Sequence, residues 1–276
     1  KPKSNFTKEE YFKNVRKARD YIIAGDIFQV VPSQRLSIDF NSHPFLLYRS
    51  LREINPSPYM YYIKFEDFFI VGSSPETLVK VEGKKITINP IAGTRPKEED
   101  KYDDIKKSLL SDPKERAEHL MLLDLGRNDV GRVSKVGSVN VKESFKIQET
   151  SHLFHIFSTV EGILESKEDR ISALCAGFPA GTVTGAPKIR AMEIINELEV
   201  SKRGVYAGAI GYFSSSGDMD TAIALRTAVI KDSKMYVQVG GGVVYDSDEE
   251  YEYNETLNKA QALFSAAEKV IEKVKK

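Results

Sequence analysis

Residues 76–90 read ETLVKVEGKKITINP, two short β-rich runs that meet at Glu82-Gly83. A glycine at such a junction suits the tight reversal of a hairpin, so the stretch predicts two antiparallel strands. A parallel pair would need a crossover of a dozen or more residues, and none fits here.

The same grammar extends outward on both sides. IFQVVPSQRLSI (27–38), PYMYYIKF (58–65) and DFFIVGSS (67–74) are further strand-like runs, with Glu66-Asp67 as a second turn. GVYAGAIGYFSS (204–215), MDTAIALRTAVIKD (219–232) and KMYVQVGGGVVYD (234–246) read as hairpin-linked strands. Helices interrupt them. Thr7 and Glu10 form a capping box before Tyr11, Val15, Ala18 and Ile22, and Gly25 closes that pattern, giving a helix over 7–24. Asp112-Pro113 and Pro187 open two more helices, and a last one runs from about Glu249 to Lys275. Strands and helices interleave without regular βαβ alternation, so the expected class is α+β.

Composition narrows the function. Forty basic and forty acidic residues among 276 cancel, leaving no general field for nucleic acid or an anionic membrane. No apolar run approaches the ~20 residues of a membrane span. Cys175 is the sole cysteine, which excludes an internal disulfide framework and a cysteine metal cluster and suits the cytoplasm.

Four features carry chemistry. PKERAEHLMLLD (113–124) sets Glu115 and Glu118 on one helix face, and EYNETLNKA (252–260) does the same for Glu252, Glu255 and Lys259. Four carboxylates suit Mg²⁺, which keeps waters and accepts substrate oxygens, although spacing alone equally describes solvated helical charge. FPAGTVTGAPKIRAM (178–192) is a small-residue turn leading into a helix, where backbone N–H groups with Thr182 and Thr184 could receive a carboxylate or phosphate. QVGGGVV (238–244) is a second glycine-rich turn, read either as a bend or as a place of close backbone approach to a ligand. His152 and His155 face opposite sides of a strand, so at most one faces a site, and Arg226 in an apolar strand wants a carboxylate partner.

Taken together, GDIFQVVPSQR (25–35), NPSPYM (55–60), GSSPE (72–76), PIAGTRP (90–96), ERAEHLMLLDLGRNDVGRV (115–133), SHLFH (151–155), FPAGTVTGAPKIRAMEII (178–195), YAGAIGYF (206–213), ALRTA (224–228) and GGGVVYDSDEEYEYNETLNKA (240–260) resemble the chorismate-utilising family, in its branch of anthranilate synthase large subunits. The resemblance runs in family order from end to end. It implies one catalytic domain over 1–276, two antiparallel sheets packed as a sandwich flanked by helices, and an active site in the cleft between them. It implies Mg²⁺ on Glu118 and Glu255, with Glu115 and Glu252 alongside. Tyr206 and Arg226 would clamp the pyruvyl carboxylate with the Gly240, Gly241 and Gly242 amides, and Lys259 would also meet substrate. Glu76 corresponds to the acid for the C4 hydroxyl, Gly93 and Thr94 line the ring, Thr182 lies at the anion-binding turn, and His152 matches the histidine of pyruvate elimination.

The implied reaction adds ammonia to chorismate, giving anthranilate and pyruvate through 2-amino-4-deoxyisochorismate, the first committed step of tryptophan biosynthesis. Two positions select this branch. Gln29 stands where isochorismate-forming relatives carry a lysine base, and Ala92 stands where aminodeoxychorismate synthases of folate synthesis carry a lysine nucleophile. Those synthases are the nearest alternative; a non-catalytic tryptophan-binding module is another. No glutaminase cysteine motif is present, so ammonia is expected from a separate glutamine amidotransferase subunit. Asn55, Pro56, Ser57, Pro58, Tyr59 and Met60 match half of the family's tryptophan pocket. The family's N-terminal regulatory segment, which carries the other half, is not among these residues, so tryptophan inhibition is not assumed.

Overall fold

The computed structural model describes residues 1–98, 101–149 and 153–274. Its elements in chain order are strands β1 (Lys3–Ser4), β2 (Gln29–Val30), β3 (Ser33–Asp39), β4 (Tyr59–Lys64), β5 (Phe69–Ser74), β6 (Thr77–Glu82), β7 (Lys85–Ile88), β8 (Ile91–Pro96), β9 (Asn140–Glu149), β10 (Leu153–Ile163), β11 (Gly185–Ala186), β12 (Ala209–Phe213), β13 (Met219–Ile223), β14 (Thr227–Lys231) and β15 (Lys234–Gly240). The helices are α1 (Lys8–Ile23), α2 (Pro44–Ile54), α3 (Tyr102–Ser111), α4 (Pro113–Gly131), α5 (Arg170–Gly177), α6 (Lys188–Leu198) and α7 (Glu249–Val274).

The chain forms two compact units, each assembled from separated stretches. Residues 1–76, 183–208 and 223–276 make the first, and 77–182 with 209–222 the second. The first holds a six-stranded sheet in the order β1-β3-β15-β14-β5-β4 and a short β2-β11 ribbon. α2 and α7 bury Leu47, Leu51, Leu263 and Phe264 against Leu36, Val71 and Val237 of that sheet, each such side chain contributing roughly 1.5–3 kcal/mol. A second cluster joins α1 through Tyr11, Val15 and Ala18 to α6 through Ile194, Ile195 and Leu198.

The second unit holds a seven-stranded sheet, β12-β13-β6-β7-β10-β8, with β9 added to β10. The expected hairpins form: β6 pairs with β7 and β4 with β5, both antiparallel. α4 lies against β8 and β10, with His119, Leu122, Leu123, Gly126 and Val130 buried. Gly126 permits this approach, since a β-carbon there would stand 3.1 Å from Pro90 Cγ.

Local signals set several boundaries as expected. Thr7 accepts from the Glu10 amide while Glu10 reaches back to Thr7, completing the capping box of α1. Asp112 caps α4 by accepting from the Lys114 and Glu115 amides.

Three expectations are corrected. The run 219–232 is two strands: β13 belongs to the seven-stranded sheet and β14 to the six-stranded one. Arg226 therefore lies in the connection rather than in a strand, at φ +46°. The turn at 178–192 does not pass directly into its helix, because Gly181–Val183 forms a single 3₁₀ turn and β11 intervenes before Pro187 caps α6. The glycines at 240–242 are neither a hairpin bend nor a bulge; they end β15 and lead toward α7. α2, α3 and α5 lie outside the expected helices, although Pro44 occupies the first turn of α2 and His43 caps it.

Candidate active site

In the first unit, several of the candidate side chains gather on the glycine run at the end of β15. A β-carbon on Gly240 would lie 2.8 Å from the Tyr206 phenolic oxygen, and one on Gly242 would lie 2.5 Å from Gln29 Nε2. At Gly241 it would meet two carboxylates, Glu252 Oε2 at 3.0 Å and Glu255 Oε2 at 3.1 Å. At all three positions an added β-carbon would press on a polar group, which would have to shift to make room.

α7 supplies the acids. Its i, i+3 spacing turns Glu252 and Glu255 to the same side, and Lys259 follows one turn later. Lys259 Nζ donates to the Gly240 carbonyl oxygen at 3.1 Å and stands 3.2 Å from Glu255 Oε1. Glu252 is 5% exposed, and its Oε1 accepts from the Ser247 hydroxyl at 2.8 Å.

Tyr206 is buried, which pushes its phenol up to about 12; the Arg203 guanidinium opposes that shift and the Glu199 carboxylate adds to it. The group stays a neutral hydrogen-bond donor across the working pH range. Burial holds the Arg226 guanidinium below its usual range, and the Glu76 carboxylate pulls the other way. Its side chain forms no hydrogen bond or ion pair among the described residues. A half-buried cation in that condition is suited to an incoming carboxylate. Glu76 follows β5, its amide donating to Ser74 Oγ at 3.4 Å and its carbonyl accepting from the Ile223 amide at 3.0 Å.

The second unit carries Glu115 and Glu118 on α4. Arg95 of β8 donates to Glu115 Oε1 at 2.6 Å and pairs with Asp112 at 2.9 Å, tying the strand to the start of the helix. Gly93 adopts φ +66°, and a β-carbon there would stand 2.9 Å from Glu115 Oε2. Ala92 is buried and Thr94 exposed. Thr182 sits in the Gly181–Val183 turn. His152 lies outside the described residues. His155 pairs across the sheet with Thr94, and its Nδ1 is 3.0 Å from Thr94 Oγ1 and 3.3 Å from the Gly93 carbonyl oxygen. It is the histidine that the described structure sets beside Gly93 and Thr94. Strand periodicity placed the two histidines on opposite faces; only the β8–β10 register says what either face meets.

The donors available to a cation are carboxylate oxygens, Glu252 and Glu255 in the first unit and Glu115 and Glu118 in the second. The pair at Gly241 fits a hard cation, because Mg²⁺ takes one or two carboxylates and completes its shell with water and substrate. Among the described residues, no three His, Cys, Asp or Glu side chains converge into a closed protein cage. Asn55–Met60 runs from the C-cap of α2 into β4, where Tyr59 and Met60 pair with Ser74 and Ser73.

Residues 1–265 match the family of chorismate binding enzymes. The chain belongs to that family. Among curated members, anthranilate synthase component 1 of Cereibacter sphaeroides is 61% identical over 270 residues, covering 96% of this chain and 54% of the relative. The component 1 protein of Pseudomonas putida is 56% identical over 266 residues, with the same coverage of both chains. The chain thus spans about half the length of the curated relatives it matches. The crystal structure of anthranilate synthase component I from Streptococcus pneumoniae superposes with a TM-score of 0.90 at 48% identity, over 95% of this chain and 59% of that one. A menaquinone-specific isochorismate synthase from Escherichia coli reaches a TM-score of 0.88 at 24% identity, over 97% of this chain and 62% of its own, which shows the shared fold. The α+β class, with antiparallel sheets and flanking helices, is that of the family's enzymes. No helix among the described residues is long and apolar enough to cross a membrane.

Proposed function

We propose that the chain converts chorismate and ammonia to anthranilate and pyruvate, as the catalytic region of an anthranilate synthase large subunit. The observation that carries the reading is the 61% identity, over 96% of the chain, to a protein named anthranilate synthase component 1. Ala92 supports it chemically: an alanine offers no amine to capture C2 of the ring, so C2 stays open to ammonia. Gln29 points the same way, because an amide cannot deprotonate water as a lysine base would.

Arg226 and Tyr206 receive the pyruvyl carboxylate, the guanidinium by charge and the neutral phenol by donating a hydrogen bond. The amides of Gly240 and Gly242 add donors that a side chain would shield, and Gly241, whose amide donates to the Pro32 carbonyl oxygen at 3.3 Å, holds the run in place. Glu76 gives a proton to the departing C4 hydroxyl, which leaves as water while ammonia bonds to C2. A histidine then takes the C2 proton, the C3–O bond breaks to expel enolpyruvate, which gains a proton at its methylene carbon to become pyruvate, and the ring becomes aromatic. That role falls to His152, the histidine that matches the family's motif, with His155 the other candidate on its contacts with Thr94 and the Gly93 carbonyl oxygen. Glu118 and Glu255 would hold Mg²⁺, with Glu115 and Glu252 alongside, and the ion when bound neutralises the ring carboxylate. Ammonia comes from a separate glutamine amidotransferase subunit in the cytoplasm, and tryptophan is the proposed inhibitor of the full-length protein, with Asn55–Met60 supplying half of its pocket.

Incubation with chorismate, Mg²⁺ and ammonium, followed by chromatography and fluorescence of the product, tests the reading. Anthranilate is expected, and glutamine alone should yield nothing. The 4-amino product would transfer the chain to aminodeoxychorismate synthesis, and binding of tryptophan without turnover would make it a regulatory module.

A further inference from the structure

Glu199 and Arg203 form an ion pair that the reaction above does not use. Their side chains are 5% and 17% exposed and 2.7 Å apart. Arg203 donates through Nη1 to the Val183 carbonyl oxygen at 2.6 Å and through Nη2 to that of Val31 at 2.5 Å. Its Nε and Nη2 both reach Glu199. Glu199 Oε1 also accepts from the Ser33 amide at 2.8 Å and the Ser33 hydroxyl at 2.7 Å. With all three nitrogens engaged by protein, this guanidinium has no free fork for a substrate carboxylate. Arg226, lacking such partners, presents the opposite case.

Two routes lead from the pair to Gly240. The Arg203 guanidinium carbon lies 5.2 Å from the centre of the Tyr206 ring, and the Tyr206 amide donates to the Arg203 carbonyl oxygen at 3.3 Å. The phenolic oxygen of that ring stands at Gly240. Along the other route, Ser33 is held by Glu199 and is the cross-strand partner of Gly240. The phenol and the strand it meets are therefore both referenced to one carboxylate. A flat, delocalised cation can cover an aromatic face while its edge donates in fixed directions, which an ammonium cannot do.

We propose that Arg203, clamped by Glu199, is a positioning residue for Tyr206: it fixes the phenol against Gly240 and so sets the affinity for the substrate carboxylate without touching substrate. This rests on the reading of Tyr206 as a carboxylate donor. The test is steady-state kinetics on Arg203→Lys, Tyr206→Phe and the double variant with chorismate, ammonium and Mg²⁺. Arg203→Lys should raise the KM for chorismate about tenfold and leave kcat within about twofold, and in the Tyr206→Phe background the same change should move KM less than about twofold. An equal rise in both backgrounds overturns the proposal, as does a fall in kcat at constant KM. An unchanged KM in Tyr206→Phe alone removes the carboxylate reading, and the proposal with it. Should Arg203→Lys fail to fold, Ser33→Ala, which deletes one donor to Glu199 and keeps its backbone N–H, carries the same cycle: a KM rise of about threefold that vanishes in Tyr206→Phe supports the proposal, and a persistent or absent rise refutes it.

Discussion

Gly93 and Glu115 occupy adjoining space: a β-carbon on Gly93 would lie 2.9 Å from Glu115 Oε2 and 3.1 Å from Leu109 Cδ1, and the Gly93 backbone sits at φ +66°. Gly93→Ala meets both penalties at once. It should destabilise the chain by about 1–2 kcal/mol, from the left-handed backbone conformation alone, and displace Glu115 from its place beside β8. Urea unfolding and turnover with chorismate measure the two effects, and we expect turnover to fall at least tenfold. Unchanged turnover would remove Gly93 from the ring-lining surface.

Arg226 separates stability from function. Its guanidinium is largely withdrawn from water, with only the field of Glu76 in its favour, so an apolar chain of similar length removes a desolvation cost. Arg226→Met should leave the thermal midpoint unchanged or higher while raising the KM for chorismate at least tenfold. A lower midpoint with normal KM would make the arginine a structural residue.

The carboxylates at Gly241 predict a metal phenotype. Glu118→Gln and Glu255→Gln should abolish Mg²⁺-dependent product formation with little change in the unfolding midpoint. Gly241→Ala, which presses on both acids of α7, should shift half-saturating Mg²⁺ upward about tenfold. Equal Mg²⁺ titrations for variant and parent would return these glutamates to ordinary helical charge.

The two histidines are separated by product analysis. His152→Ala should accumulate 2-amino-4-deoxyisochorismate, while His155→Ala, whose ring contacts Thr94 and the Gly93 carbonyl oxygen, should still release anthranilate. The reverse pattern assigns the elimination to His155.

His119 gives a pH dependence of stability. It is fully buried on α4, donating or accepting at Nε2 with Ser158 Oγ at 2.6 Å, and burial lowers its imidazole to about 4. An unfolded histidine titrates near 6.5. Between those values the unfolded chain binds a proton that the folded chain refuses, so stability present above about pH 6.5 is lost as pH falls toward 4. His119→Gln, which keeps one hydrogen-bonding group at that position, should flatten the slope of unfolding free energy between pH 6.5 and 4. Parallel curves would show that other groups set it.

Legibility in the sequence followed the range of the interaction. The capping box of Thr7 and Glu10 and the Asp112 cap of α4 act within four residues, so they could be read directly. The split of 219–232 into β13 and β14 could not, because both halves are equally apolar and strand-forming, and their sheets are chosen by partners at Val79–Val81 and Ile70–Gly72. Arg226 was misplaced for the same reason. Arg203 is not legible in the sequence because Val31 and Val183, which it reaches besides Glu199, are distant in sequence and accept through backbone carbonyls that no residue pattern records.

By itself the sequence determined the α+β class, the helical spacing of Glu115 with Glu118 and of Glu252 with Glu255, and, through its motifs, the family. These depend on local periodicity and residue type. Tertiary structure alone decided that three successive glycines each face different polar side chains, that His155 stands beside Thr94, and that Arg203 is enclosed by hydrogen bonds to the protein while the Arg226 side chain makes none among the described residues. Each of those is a contact between segments far apart in the chain, set by strand register and packing.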